Sequence, residues 1–165
     1  MQIEIDPLSE IPLYQQLRDR VVEGIAAGRL RPGEKLAPVR TLAGRFGINI
    51  ATVAKGYDLL RAEGLVRTNR AAGSVIARGP IAAGERAGGA APEWGTVARS
   101  AWAARLTTVL AEGVAQGESD TALQDAAHGI LQRFAADRAA ASGSVSDGPG
   151  PVSGRPGPAP DRKEP

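Results

Sequence analysis

The chain has 165 residues, a net charge of +2, no cysteine and one histidine. That length holds one domain of ordinary size, or a small domain with an appendage. It excludes a disulfide framework, a thiolate metal site and a cysteine nucleophile. The charge is divided unevenly. Residues 1–79 carry twelve Lys/Arg against eight Asp/Glu, a net of +4, and residues 80–165 carry eight against ten, a net of −2. No stretch approaches the roughly 20 apolar residues of a membrane span. The N-terminus, MQIEIDPLSE, is acidic and lacks the apolar core of a signal peptide, so a cytoplasmic protein with no membrane partner is expected. No nucleophile, base and orienting group can be assembled, and no phosphate-binding glycine loop is present, so an enzyme is not expected.

In chain order, Gln2 to Ile5 alternates polar and apolar residues and reads as a short strand or arm. Pro12 suits the first position of a helix, where its missing N–H is harmless. That helix is expected over residues 12–27, with Leu13, Leu17, Val21 and Ile25 as its packing stripe. Arg18, Asp19 and Glu23 fall on other faces and are given no role beyond solubility. Gly28 closes the helix. A loop turns at Pro32-Gly33, and Leu36 is expected to add a short strand beside a later hairpin.

Residues 38–46 form a second amphipathic helix, with Val39, Leu42, Ala43 and Phe46 on one face. Gly47 permits a sharp turn. Asn49 is an N-cap type opening a third helix, whose buried face is Val53, Tyr57 and Leu60. The opposite face carries Ala51, Thr52 and Lys55. Small, hydroxylated and basic side chains there suit a helix in a DNA major groove, close to base edges and phosphates. Gly64 ends this helix. Residues 65–68 and 74–77 read as strands around 69–73, which completes a winged helix-turn-helix. The bland alternative is an αα-hairpin that only packs.

Residues 80–95 read as a Gly/Ala/Pro-rich linker, with Trp94 as a local anchor near its end. From Thr96 the helical pattern returns. Trp102, Leu106, Val109, Leu110 and Val114 mark one helix, ending near Gly117. Ser119 or Thr121 can cap the next, with Thr121 and Gln124 at capping-box spacing and a stripe of Leu123, Ala127, Ile130, Leu131 and Phe134. Two such helices cannot bury both apolar faces alone. The expected cover is the same pair from a second subunit, and the alternative is folding back onto the winged helix. His128 has no second ligand nearby, so no metal site is expected. Residues 142–165 are rich in Gly, Pro and Ser and are expected to be a disordered tail. The fold class is therefore mainly α with a small β-hairpin. Residues 1–79 form the DNA-binding domain and 96–141 a helical dimerisation unit.

A family resemblance covers roughly residues 10–78. It is carried by Pro12-Leu13-Tyr14-Gln15-Gln16-Leu17, Gly28-Arg29-Leu30, Pro32-Gly33 and Leu36, then by Arg40 and Leu42-Ala43. Asn49, Thr52-Val53, Tyr57, Leu60 and Glu63-Gly64-Leu65-Val66 complete it. Together these resemble the GntR family of bacterial transcription regulators, and the short C-terminal part looks like its YtrA-like subfamily. The resemblance implies DNA contacts by Arg40, by Asn49 and Thr52, by Lys55 on a phosphate, and by Arg70 at the wing tip beside the wing glycine Gly73. Ile50, Ala51, Ala54 and Ala71 depart from the family pattern. Ile50 and Ala51 suit apolar contact with thymine methyls. The function implied is a homodimeric, sequence-specific regulator of double-stranded DNA that binds an inverted repeat, with repression the expected mode. The competing reading is a protein-interaction adaptor. No cofactor is expected, and a small-molecule effector would have to fit a small pocket near Trp94 or Trp102.

Overall fold

A computed structural model describes residues 5–69, 73–80 and 95–143. Arg70, Ala71, Trp94, most of the linker over 80–95, nearly all of the tail over 142–165 and most of the N-terminal arm lie outside the described residues.

The first helix, α1 (Leu13–Ala26), starts after Pro12, whose extended ψ of 136° places it at the N-cap rather than inside the helix. Its carbonyl already accepts from Gln16 N at 3.0 Å, as an N-cap carbonyl should. Pro38 stands in the same way before α2 (Val39–Phe46). Both helices therefore begin one residue later than the periodicity predicts. Gly47 takes the left-handed φ of 64° that the turn to α3 (Ile50–Ala62) requires.

Leu17, Val21 and Ile25 of α1 pack with Leu42 and Ala43 of α2 and Val53, Tyr57 and Leu60 of α3 in one core. The axes of α1 and α3 approach closely because position 56 is glycine. A Cβ there would meet Tyr14 O at 3.0 Å and Leu17 Cδ2 at 3.1 Å. Arg18 corrects its expected role. Its guanidinium forks onto Glu63, with Nε 3.0 Å from Oε2 and Nη2 2.8 Å from Oε1, and so staples α1 to the C-terminal end of α3. Burial disfavours the Arg18 charge, but the hydrogen bonds to Asp19 and Glu63 outweigh it and hold its pKa above the ordinary arginine value.

The hairpin is β1 (Val66–Asn69) paired antiparallel with β2 (Gly73–Ile76), with Val66 opposite Ile76 and Asn69 opposite Gly73. Relative to the expected strands, the first begins one residue later and the second one residue earlier. Leu65 N is taken by Leu60 O at 2.9 Å as the chain leaves α3, so Leu65 pairs only through its carbonyl, which accepts from Ala77 N at 2.8 Å. The expected third strand is a single bridge, Lys35 opposite Val75, flanked by Leu36 N to Ser74 O and Ile76 N to Glu34 O, both 2.9 Å. Three helices with this hairpin form a winged helix-turn-helix.

Tyr57 is fully buried and its hydroxyl donates to Ala37 O at 2.8 Å. Burial pushes its pKa up from 10.0 to about 12. The raised folded value means this contribution to stability is whole below pH 10 and is lost as pH rises through about 12. Tyr57→Phe is expected to remove that alkaline decline and to lower stability near neutrality by about 1 kcal/mol through the lost hydrogen bond. Chemical unfolding across that pH range, compared with the wild type, checks both.

The C-terminal helices are α4 (Thr96–Ala115) and α5 (Asp120–Gly143). Ser119, not Thr121, provides the cap, with its Oγ accepting from Ala122 N at 3.2 Å, while Thr121 is already inside the helix. Leu123 tucks beside Gly113, where a Cβ would come within 2.5 Å of its Cδ2. No residue of either helix is fully buried. Trp102, Leu106, Leu110, Ile130 and Leu131 are all at least 39% exposed, while Leu123 and Phe134 are half-buried. These five exposed side chains are thus not covered by the winged helix. Among the described residues no helix is long and apolar enough to cross a membrane.

Candidate nucleic-acid interface

The candidate interface is built on the turn between α2 and α3. Asn49 is extended, and its Oδ1 accepts from Ala51 N at 2.8 Å while its carbonyl accepts from Thr52 N at 3.0 Å. One residue thereby satisfies two orphan donors of the first turn of α3. With one lone pair of Oδ1 committed to the cap, Asn49 keeps its two amide donors and the second lone pair for another partner.

Beyond the cap, Ile50 is 51% exposed and Ala51 is exposed, whereas Thr52 is half-buried. This leading edge is apolar and small. Lys55 is exposed half-way along α3, with its ammonium 3.9 Å from the centroid of the Tyr14 ring. That is a cation–π contact. It restrains the Lys55 head on the flank of α3, and gives Tyr14 a role that sequence periodicity does not reveal. Arg40 is exposed in the first turn of α2. Gly73 opens β2 with φ of 76°, and among the described residues, its chain neighbours aside, no atom lies within 4 Å of where a Cβ would stand. Arg70 falls outside the described residues. Two further exposed cations, Arg45 in the last turn of α2 and Arg67 on β1, received no role from the sequence.

The capping role of Asn49 can be separated from the DNA contact expected of it. Asn49→Ala is expected to cost about 1 kcal/mol of stability through the lost cap. Asn49→Asp keeps a capping oxygen and should unfold at nearly the wild-type temperature, but it sets a negative charge beside phosphates and should weaken DNA binding. Thermal unfolding with a duplex titration separates the variants.

Elsewhere, His128 Nε2 lies 3.3 Å from Gln132 Nε2 on the exposed surface of α5. No group of three or more His, Cys, Asp or Glu suited to a metal occurs among the described residues.

The family model described as "Bacterial regulatory proteins, gntR family" matches residues 13–76. The chain is 40% identical over 76 residues to the HTH-type transcriptional regulator Rv1152 of Mycobacterium tuberculosis, covering 46% of this chain and 63% of that protein. It is also 40% identical over 74 residues to the HTH-type transcriptional repressor YtrA of Bacillus subtilis, covering 45% of this chain and 57% of that one. The matched part thus spans about three-fifths of each of these relatives. Among solved structures, a transcriptional antiterminator from Listeria monocytogenes superposes with a TM-score of 0.68 at 22% identity, over 81% of this chain and 92% of that one. This likeness reaches across the C-terminal helices and concerns the fold alone.

Proposed function

We propose that this chain, which carries a GntR-family DNA-binding domain over residues 13–76, is a sequence-specific transcription regulator that binds an inverted-repeat operator as a homodimer and represses from it. The observation that carries this reading is the Asn49-capped start of α3, small and apolar at its tip and flanked by exposed Arg40 and Lys55. A helix end of that shape can enter a major groove. Ile50 and Ala51 then meet base edges while Arg40, Arg45, Lys55 and Arg67 neutralise phosphates.

Dimerisation follows from the uncovered apolar stripe of α4 and α5. A second copy covers it with a surface of the same chemistry, and two-fold symmetry presents two recognition helices to one face of the duplex. A dimer seated on a promoter blocks polymerase without needing a further surface. The Bacillus subtilis relative, named a repressor, supports this mode.

Four phosphate-facing cations per protomer imply a slope of log affinity against log salt of about −7 for the dimer. Anisotropy titrations of sheared genomic duplex over a salt series test this, and a flat profile contradicts DNA binding and favours a protein partner. The base-reading role of Ile50 makes a separate prediction. Ile50→Arg is expected to change the preferred half-site in a binding-site selection, replacing thymine with guanine at the contacted position. An unchanged preference would show that Ile50 reads no base.

A further inference from the structure

Most of the apolar stripe of α4 and α5 is exposed, yet the last turns of α5 are attached to the winged domain by arginines. Arg138 Nη1 donates to Ala26 O, at the C-terminal end of α1, at 2.9 Å. Arg31 Nη2 donates to Ala141 O, near the end of α5, at 2.7 Å. Arg29 Nη1 lies 3.1 Å from Asp137 Oδ2. Each of the two helices thus has a late carbonyl, at the negative end of its dipole, capped by a guanidinium from the other unit.

Gly28 makes the approach feasible. It closes α1 with φ of 71°, and a Cβ there would stand 3.2 Å from Arg138 Cγ. The loop that carries Arg31 is in turn tied to the wing. Arg31 N donates to Glu34 Oε2 at 3.0 Å, and Gly33 N donates to Ile76 O at 2.9 Å. The end of α5 is therefore joined, through one short loop, to β2.

We propose that Arg29, Arg31 and Arg138 form a joint that fixes the heading of the C-terminal helices relative to α3. They are positioning residues, which set the separation of the two recognition helices in the homodimer. The proposal rests on the DNA-binding homodimer proposed above. Charge-assisted bonds to backbone carbonyls are directional, so they can fix a heading as well as an attachment. A further link, Arg105 Nη2 to Glu63 Oε1 at 3.9 Å, is long and partly exposed, so it adds little to the heading.

The chain has no cysteine, so introduced thiols can be labelled without background. Gln15→Cys on α1 and Asp125→Cys on α5, both at exposed positions, carry nitroxides in full-length chain diluted into unlabelled protein. Electron–electron dipolar spectroscopy then reads the distance within one chain, whether or not the chain dimerises. The expected result is one narrow distribution, broadened when Arg31→Ala and Arg138→Ala are combined, with thermal unfolding unchanged. On the inverted repeat recovered by selection, the combined variant is expected to bind about tenfold more weakly, because a loose joint lowers the effective concentration of the second site. Its affinity for an isolated half-site should stay as in the wild type. An unbroadened distribution overturns the joint. Equal losses on half-site and full repeat overturn the positioning role, because they would reflect lost charge alone. If the wild type binds no duplex, the regulator reading fails, while the distance distribution still decides the joint.

Discussion

If the chain forms the proposed homodimer, Leu106→Asp is expected to yield a monomer and to weaken binding to a two-fold operator by about 100-fold or more, the loss that follows when the second half-site is no longer tethered to the first. Leu106 sits one turn from Trp102 and from Leu110 on α4, and all three are exposed in the single chain, as are Ile130 and Leu131 on α5. Contiguous apolar surface of that kind marks an association site. Each large side chain buried there contributes about 1.5–3 kcal/mol. An aspartate at the centre both removes one such contribution and forces an unpaired carboxylate into the interface. Sedimentation equilibrium reports the oligomer, and titration of full and half repeats reports the consequence. The winged domain contributes nothing to this stripe, so half-site binding should survive. A Leu106→Asp protein that remains dimeric would place the interface elsewhere.

The second large effect is on stability. Leu60→Ala is expected to destabilise the winged domain by about 2–5 kcal/mol. Leu60 is fully buried on α3 in the cluster that includes Leu17, Val21 and Tyr57. The neighbouring Arg18–Glu63 fork fixes the far end of α3 against α1, so the backbone has little freedom to collapse into the space left. For a domain of this size, with a total stability of about 5–15 kcal/mol, such a loss lowers the midpoint by roughly 8–40 °C. Asp58 on the same helix is exposed and pairs only with Arg61, three residues on. Asp58→Ala should therefore stay within about 0.5 kcal/mol of the wild type. Thermal unfolding of the pair distinguishes core loss from general sensitivity of α3.

Local chemistry made much of this molecule readable in advance. The spacing of Leu17, Val21 and Ile25, of Leu42 and Ala43, and of Val53, Tyr57 and Leu60 located three helices and their buried faces. Gly47 and Asn49 marked the turn and the cap, because few residues tolerate a left-handed φ and few can accept from a helix's first amides. Helix starts and strand ends slipped by a residue. Those limits depend on which carbonyl accepts each amide, as at Pro12, Pro38 and Leu65, and side-chain pattern does not encode that choice.

Contacts between distant segments were not legible. Arg18 and Glu63 are separated by 45 positions, and Arg29 and Asp137 by 108. Each is an ordinary surface residue until the fold brings it to its partner. The same holds for Lys55 over Tyr14 and for Gly56, whose missing side chain has meaning only against α1. At the proposed interface the sequence singled out Arg40, the start of α3, Lys55, Arg70 and Gly73. It gave no role to Arg45 or Arg67, because an isolated basic residue carries no local signature of the surface it will face.

The central claim is that the turn from α2 to α3 reads DNA as one half of a symmetric pair. The direct test is selection of genomic fragments by the purified full chain at two salt concentrations, read by sequencing. The account predicts enrichment of one inverted repeat whose half-sites are one helical turn, or a multiple of it, apart, with enrichment lost at the higher salt. Recovery of no motif at either salt would contradict it.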